Sequence, residues 1–161
     1  MKEKVLLIII DALASAVVQP ALAQGRLPTL QKIIDAGWVR WDSTSIFPSI
    51  TPAATAALIT GGYPRDTGIT GACFYDRAEE RLNYYGDDIW PVMRKGFGTF
   101  FEELLVKLNH DRLRCSTIFE RVEEAGQPSA CLNYIWYRGT TRHKVQVPWT
   151  LRWWPGVPYS P

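Results

Sequence analysis

The sequence predicts an α/β fold built around a mostly parallel sheet. The run from Val5 to Ile10 is continuously apolar, rich in β-branched residues, and closed by Asp11. Such a run is typical of a strand that is buried on both faces of a parallel sheet. Residues 117–136 show the order helix, glycine, strand, which is the unit that right-handed crossovers add to such a sheet. With 47% hydrophobic and 21% charged residues, the composition is that of a globular chain.

The N-terminus allows a second interpretation. Basic residues within 1–4, the apolar run and the small residues Ala21 and Ala23 on either side of Leu22 also resemble a secretory signal with its cleavage site. Against this, Asp11 interrupts the apolar region early, and a carboxylate there is costly for membrane insertion. The strand is therefore favoured, together with a cytoplasmic location, and export with loss of residues 1–23 is the alternative. No apolar run is long enough to span a membrane.

Local signals predict two helices and a strand before residue 61. Pro28 opens a segment with apolar residues at helical spacing, and Gly37 stops it. Residues 38–41 alternate like a strand. Thr51 is followed by Pro52 and a run of alanines, which predicts a helix with Thr51 as N-cap and Pro52 at its first position.

The rest of the chain combines a long loop with further helices and a strand. Residues 61–98 are rich in Gly, Pro, Tyr and Asp without a sustained period, which predicts an active-site loop or a cap segment. Helical spacing returns over 100–108. A further helix is predicted over 117–126, with a Ser or Thr start and a glycine stop, and a buried strand over 129–136.

A tail over 138–161 is rich in tryptophan and proline. Trp149, Trp153 and Trp154 stand there near basic residues, a pattern that could stack on bases or sugars. Packing against a further part of the protein is the simpler interpretation, and such a surface left uncovered would promote self-association. The net charge of +2 is near neutral and the basic residues are scattered, so no nucleic-acid partner is expected.

Asp11 and Thr51 are the residues on which a chemical function can be built. A threonine hydroxyl is too basic to attack at neutral pH unless a metal ion or a base takes up its proton, and a carboxylate is a natural metal ligand. The first turn of a helix also attracts anions such as phosphate, through its backbone N–H groups and its dipole. The alternative is that Thr51 only caps its helix, which is the commoner role of such a threonine.

A set of motifs in a fixed order runs across most of the chain. It comprises the strand ending in Asp11, then Pro28-Thr29-Leu30, Phe47-Pro48-Ser49 with Thr51, Thr60-Gly61-Gly62-Tyr63-Pro64, and Gly68-Ile69. This order resembles the N-terminal part of the type I phosphodiesterase/nucleotide pyrophosphatase branch of the alkaline phosphatase superfamily. The resemblance implies one partial catalytic domain over 1–161, with the three-layer α/β sandwich of that superfamily.

The same resemblance implies a chemistry. In the family, the strand-end aspartate binds one of two divalent metal ions, usually zinc, and the threonine forms a covalent phospho-enzyme intermediate. By motif position, Asp11 and Thr51 would be metal ligands and Thr51 the catalytic nucleophile. The implied activity is hydrolysis of a small phosphate ester or a nucleotide-like diester.

Three positions depart from the family pattern. Nucleotide-hydrolysing members usually carry Asn three residues after the nucleophile, where it helps to hold a phosphoryl oxygen, and His next to it; Ala54 and Thr55 stand there in this chain. Thr67 replaces the usual His before the Gly-Ile pair. The substrate class therefore stays open. A sulfatase is disfavoured, because the Thr51 motif lacks the Cys or Ser and the Arg of that family's nucleophile motif.

The expected set of metal ligands is incomplete. A two-metal centre needs about six protein ligands, and the family supplies the others from an Asp-x-x-x-His motif, an Asp-His pair and a further His. His110 and His143 stand in no such context and are expected to be solvated. The cysteines are too widely spaced for a zinc site or a disulfide framework. We therefore expect the front portion of a hydrolase that associates with a missing C-terminal half or with itself, and the alternative is a non-catalytic remnant or binding module.

Overall fold

The described residues fall into two compact units. The computed structural model describes residues 4–77, 80–85, 89–96, 98, 100 and 102–144. The first unit ends at Thr44 and the second begins at Ser45. Over the described residues, no helix has both the length and the apolar character that crossing a membrane requires.

Two helices form the regular structure of the first unit. They are α1 at Ser15–Ala23 and α2 at Pro28–Ala36. Pro28 opens α2 and Gly37 directly follows it, which confirms the helix predicted there. The hydroxyl of Ser15 donates a hydrogen bond to the backbone carbonyl of Trp41 at 3.0 Å, and this bond ties the start of α1 to the segment after α2.

The two strands predicted in this unit are wrong. Residues 5–10 form no regular structure, and the side chains of Val5 and Leu6 are 95% and 83% exposed. Residues 38–41 form no strand either. An extended segment becomes a strand only when a neighbour takes up its backbone hydrogen bonds, and none of the described residues pairs with either segment.

The second unit carries the remaining elements. Its helices are α3 at Thr51–Thr60, α4 at Pro64–Thr67, α5 at Ile89–Lys95, a π-helix at Glu102–Arg112 and α6 at Ile118–Glu124. Its strands are β1 at Cys73–Asp76, β2 at Arg81–Tyr84, β3 at Ala130–Leu132 and β4 at Arg142–Lys144. The helices predicted over 100–108 and 117–126 are confirmed in position, the first as a π-helix. Trp149, Trp153 and Trp154 of the predicted tail lie outside the described residues.

The strands pair in two separate two-stranded sheets. β1 and β2 form an antiparallel hairpin in which Cys73 lies opposite Tyr84. β3 and β4 run parallel, with Cys131 opposite His143, so the strand predicted over 129–136 is confirmed for part of its length. The described residues thus form a mixed α/β structure, which confirms the α/β class. Their two small sheets, one antiparallel and one parallel, do not confirm the mostly parallel sheet.

The core of the second unit packs around Trp136, which is fully buried. The other buried members of this cluster are Ala56, Ile59, Ile69, Tyr85, Leu108 and Leu113. α3 and the π-helix therefore share one core with the segment that follows β3. This shared core is what fixes the position of α3, the helix that begins at Thr51.

Gly68 ends α4 in a left-handed conformation that a side chain would obstruct. Its φ is 77°, and a Cβ atom there would lie 2.9 Å from Nε of Arg114 and 3.3 Å from the backbone oxygen of Arg112. Gly61 ends α3 with a similar φ of 75°, but no atom lies within 4 Å of the position that its Cβ would take. Substituting these two glycines therefore distinguishes the cost of a left-handed backbone from the cost of a contact with neighbouring atoms.

We expect Gly68→Ala to lower the free energy of unfolding by about 1 to 3 kcal/mol. Gly61→Ala should cost less, because it adds only the left-handed strain and no contact with a neighbouring side chain. Chemical denaturation of both variants measures the two losses. Equal losses would show that the contact with Arg114 relaxes without cost.

Candidate active site

Thr51 is the first residue of α3. Ile50 precedes it with an extended backbone, φ −69° and ψ 144°, and acts as N-cap, so Thr51 stands one position later in the helix than predicted and Pro52 follows at the second position. Proline fits either place, because N–H groups in the first turn have no partner within the helix. The side chain of Thr51 is exposed, whereas Pro52 and Ala53 are buried.

The start of α3 is suited to an anion. The helix is ten residues long and has no acidic residue in its first turn. The backbone N–H groups of a first turn point outward along the helix axis, and the helix dipole adds positive potential. An exposed hydroxyl at this end therefore stands where an anionic group is favoured.

Thr55 lies one turn further along α3, and its hydroxyl is engaged on both sides. Oγ1 of Thr55 donates a hydrogen bond to the backbone carbonyl of Thr51 at 2.5 Å. It also accepts one from Nε1 of Trp136 at 2.7 Å. Because Thr55 and Trp136 are both buried, the hydrogen bonds of this hydroxyl lie in the protein interior.

The other two departures from the family pattern have structural consequences of their own. The backbone N–H of Ala54 donates to the carbonyl of Ile50 at 2.9 Å, and the methyl side chain has no group to offer a phosphoryl oxygen. Thr67 is fully buried, and its Oγ1 accepts the backbone N–H of Ile69 at 3.2 Å. Thr67 thus closes the turn around Gly68.

Two polar side chains fix the segment that carries Trp136, and Asn109 is the first. Asn109 is fully buried near the end of the π-helix, and its Nδ2 donates to the backbone carbonyl of Ile135 at 2.7 Å. Its Oδ1 accepts the backbone N–H groups of Tyr137 and Arg138 at 2.8 and 3.2 Å. One amide therefore binds the chain on both sides of Trp136.

Arg138 is the second of these side chains. Its guanidinium pairs with Glu120, with 3.0 Å between Nε and Oε1, and also donates hydrogen bonds to the backbone carbonyls of Asn109, Leu113 and Cys115. Burial opposes ionisation of Glu120, but hydrogen bonds from Thr117 and Arg138 outweigh it and lower the pKa of this carboxyl group. The segment after β3 is thereby joined to α6 and to the end of the π-helix.

Asp11 lies in the first unit, in a turn that follows the mostly exposed segment 4–10. Its side chain is exposed, and its Oδ1 accepts the backbone N–H of Ala12 at 3.1 Å. Ala12 adopts a left-handed φ of 56°. Asp11 and Thr51 thus belong to different units, and each is placed within its own unit.

Potential metal ligands do not cluster in the described part of the chain. No group of three or more His, Cys, Asp or Glu side chains that could hold a metal ion occurs within it. A metal centre with Asp11 and Thr51 as ligands would therefore need further donors, which no cluster among the described residues supplies. The described residues do not by themselves fit the two-metal site that the motifs imply.

The two histidines have different surroundings. His110 is exposed, as expected for a solvated group. His143 is half-buried and lies flat against the ring of Tyr137, with 3.9 Å between ring centroids and 9° between planes, so the expectation of a solvated group is wrong there. Burial lowers the pKa of the His143 imidazole and raises the pKa of the Tyr137 hydroxyl.

The cysteines at 73, 115 and 131 are free thiols. Burial raises the pKa of Cys131 to about 11. Its Sγ donates to the backbone carbonyl of Trp136 at 3.3 Å. A thiol with so high a pKa stays protonated at neutral pH and is a poor nucleophile, so Cys131 has a packing role.

Comparison with protein families agrees with the motif order in the sequence. The family model described as type I phosphodiesterase / nucleotide pyrophosphatase matches residues 5–155, a range that contains both Asp11 and Thr51. Comparisons with curated proteins and with solved structures gave no significant match. The family match confirms the resemblance that the motifs indicate.

Proposed function

The chain belongs to the type I phosphodiesterase/nucleotide pyrophosphatase family, and on this premise we propose that it hydrolyses phosphate esters with Thr51 as the nucleophile. The observation that carries the proposal is the exposed side chain of Thr51 at the first residue of α3. An anionic substrate is attracted to a helix N-terminus, so the hydroxyl and the phosphoryl group are drawn to the same place. An attacking hydroxyl needs that proximity.

The proposed reaction has two displacements. Oγ1 of Thr51 forms a bond to phosphorus while the bond to the leaving oxygen breaks with its electron pair. The hydroxyl proton passes to solvent in this step, and the leaving oxygen takes up a proton from solvent. Water then attacks phosphorus in the phospho-threonine, which restores the Thr51 hydroxyl and releases the product.

The substrate proposed is a small phosphate ester or nucleotide-like diester. The side chains of Ala54 and Thr55 do not serve its phosphoryl oxygens, because the first is a methyl group and the second is engaged with Thr51 and Trp136. We propose that backbone N–H groups at the start of α3 contribute to holding these oxygens instead.

Metal dependence is part of the proposal through the family. The family implies two divalent ions, for which we propose zinc. We propose Asp11 and Thr51 as two of the ligands. A divalent ion held by these residues would favour the deprotonated form of a hydroxyl. The other donors, and the three-layer sandwich of the superfamily, would have to come from outside the described elements.

A second candidate is a non-catalytic binding module that keeps the first elements of the family fold. The observation in its favour is the loss of both the Asn and the His after the nucleophile position, where Ala54 and Thr55 now stand. Such a module would bind a phosphate ester at α3 without turning it over. Metal content after dialysis separates the two candidates, because only the hydrolase is expected to retain zinc.

The covalent intermediate provides the test. We expect that acid quenching during hydrolysis of bis(p-nitrophenyl) phosphate traps a nitrophenyl-phosphoryl adduct on Thr51. Trypsin releases one peptide over 41–65 that also contains Thr55 and Thr60. Mass-spectrometric fragmentation of this peptide assigns the adduct.

The two buried threonines act as internal controls in this experiment. Both lie on α3 and are nearly inaccessible, so neither should be modified. An adduct on either of them, or product release with no adduct on Thr51 at any quench time, would contradict the proposed nucleophile.

A further inference from the structure

The hydroxyl of Thr55 joins the proposed nucleophile's residue to the largest fully buried side chain described in the chain, that of Trp136. Nε1 of Trp136 donates to Oγ1 of Thr55 at 2.7 Å, and the same Oγ1 donates to the backbone carbonyl of Thr51 at 2.5 Å. We propose that Thr55 and Trp136 are positioning residues that hold Thr51 in the orientation required for attack. This inference rests on the proposed function, because it takes Thr51 as the nucleophile.

The geometry of α3 explains why Thr51 needs such a restraint. The helix begins at Thr51, directly after the extended Ile50, and a first turn is the part of a helix that frays most readily. The buried Thr55 hydroxyl holds the Thr51 carbonyl, and so fixes the peptide plane next to the side chain that would attack. A misplacement of about 1 Å can reduce a rate by about 10²-fold, so a fixed peptide plane has kinetic value.

Trp136 is a rigid reference for this restraint. Its ring is fully buried in the cluster that contains Ala56 and Ile59 of α3. Its backbone carbonyl accepts the Cys131 thiol, and Asn109 binds the chain on both sides of it. A hydrogen bond is stronger in such a buried environment than in water, and successive bonds polarise one another. The restraint on Thr51 therefore extends into the core.

Thr60 offers a matched control on the same helix. It is 8% exposed against 7% for Thr55, and its Oγ1 donates to the backbone carbonyl of Ala56 at 2.7 Å with the same spacing of four residues. It lies at the opposite end of α3, where its Oγ1 accepts the N–H of Gly62 at 3.1 Å. Thr55→Val and Thr60→Val each remove one buried hydroxyl that makes two hydrogen bonds. Only Thr55→Val removes the hydrogen bond to Thr51.

We expect Thr55→Val to lower kcat for bis(p-nitrophenyl) phosphate by about 10- to 100-fold with little change in KM. Thr60→Val should leave kcat unchanged, although it loses stability in a similar way. Thr55→Ser, which restores the hydroxyl, should recover most of the rate. Trp136→Phe keeps an aromatic ring but removes the N–H, and it should lower kcat in the same direction as Thr55→Val.

A spectroscopic readout is independent of turnover. The indole N–H proton of Trp136 is identified by NMR as the resonance that Trp136→Phe removes. It should move upfield in Thr55→Val, because its acceptor is lost, and stay in place in Thr60→Val. An unchanged resonance in folded Thr55→Val would remove the hydrogen bond on which the inference depends.

The outcomes separate this inference from the proposed function. Equal kcat values for folded Thr55→Val and Thr60→Val would overturn the positioning role and leave the nucleophile untouched. Turnover that survives Thr51→Ala would overturn the nucleophile, whatever Thr55 does. If Thr55→Val fails to fold, a wild-type kcat in Trp136→Phe overturns the positioning role on its own.

Discussion

Replacing Thr51 by alanine is expected to lower the rate of phosphate-ester hydrolysis by at least about 10³-fold. The physical reason is that covalent catalysis has no other route once the attacking oxygen is removed, while the anion-attracting helix start remains. The side chain is exposed and contributes little packing, so the variant should unfold at the same denaturant concentration as the wild type. Initial rates with bis(p-nitrophenyl) phosphate at saturating substrate measure the loss.

Two further variants define what this loss means. Thr51→Ser keeps a hydroxyl at the first position of α3 and should retain a measurable rate. Asp11→Ala should lose bound metal and turnover together, whereas Thr51→Ala should keep most of its metal, because a carboxylate is the stronger ligand. A rate near that of the wild type in Thr51→Ala would remove this residue from the chemistry.

Signals contained within a single helix predicted where helices begin and end. Pro28 and Gly37 bound α2 in the sequence and in the structure. Thr117 caps α6 by accepting the backbone N–H of Glu120, whose carboxylate in turn accepts the N–H of Thr117. These devices act over three or four residues, so they can be identified without knowledge of the rest of the fold. The start of α3 was predicted to within one residue for the same reason.

Features that depend on distant partners were not predicted. The apolar run at 5–10 has the composition of a buried strand, but pairing decides whether a strand forms, and the described residues provide no partner for it. The Thr55 to Trp136 hydrogen bond spans 81 residues, and neither residue carries a local signal for the other. His143 was expected to be solvated from its charged neighbours, but it stacks on Tyr137 because β4 pairs with β3.

The role of Arg138 was not predicted from composition either. It stands at the start of a segment assigned to a tail, yet its side chain is only 17% exposed and its guanidinium binds Glu120 and three backbone carbonyls. A planar group with five N–H donors can satisfy all of these acceptors at once, which a lysine ammonium cannot do in the same geometry. Arg138 therefore holds the end of the π-helix, the start of α6 and the Trp136 segment together.

Arg138→Ala is expected to lower the free energy of unfolding by about 3 kcal/mol, because it leaves a partly buried carboxylate and three backbone carbonyls without their donor. Arg65→Ala is the matched control, since that arginine pairs with Asp66 at 3.7 Å but is 94% exposed, and it should cost no more than about 0.5 kcal/mol. The loss in Arg138→Lys should lie between these two values, because lysine keeps the charge but lacks the planar set of N–H donors of the guanidinium. Urea unfolding of the three variants gives the comparison. A loss in Arg138→Ala as small as that in Arg65→Ala would mean that water replaces the guanidinium, and the segment carrying Trp136 would then be held by Asn109 and by core packing alone.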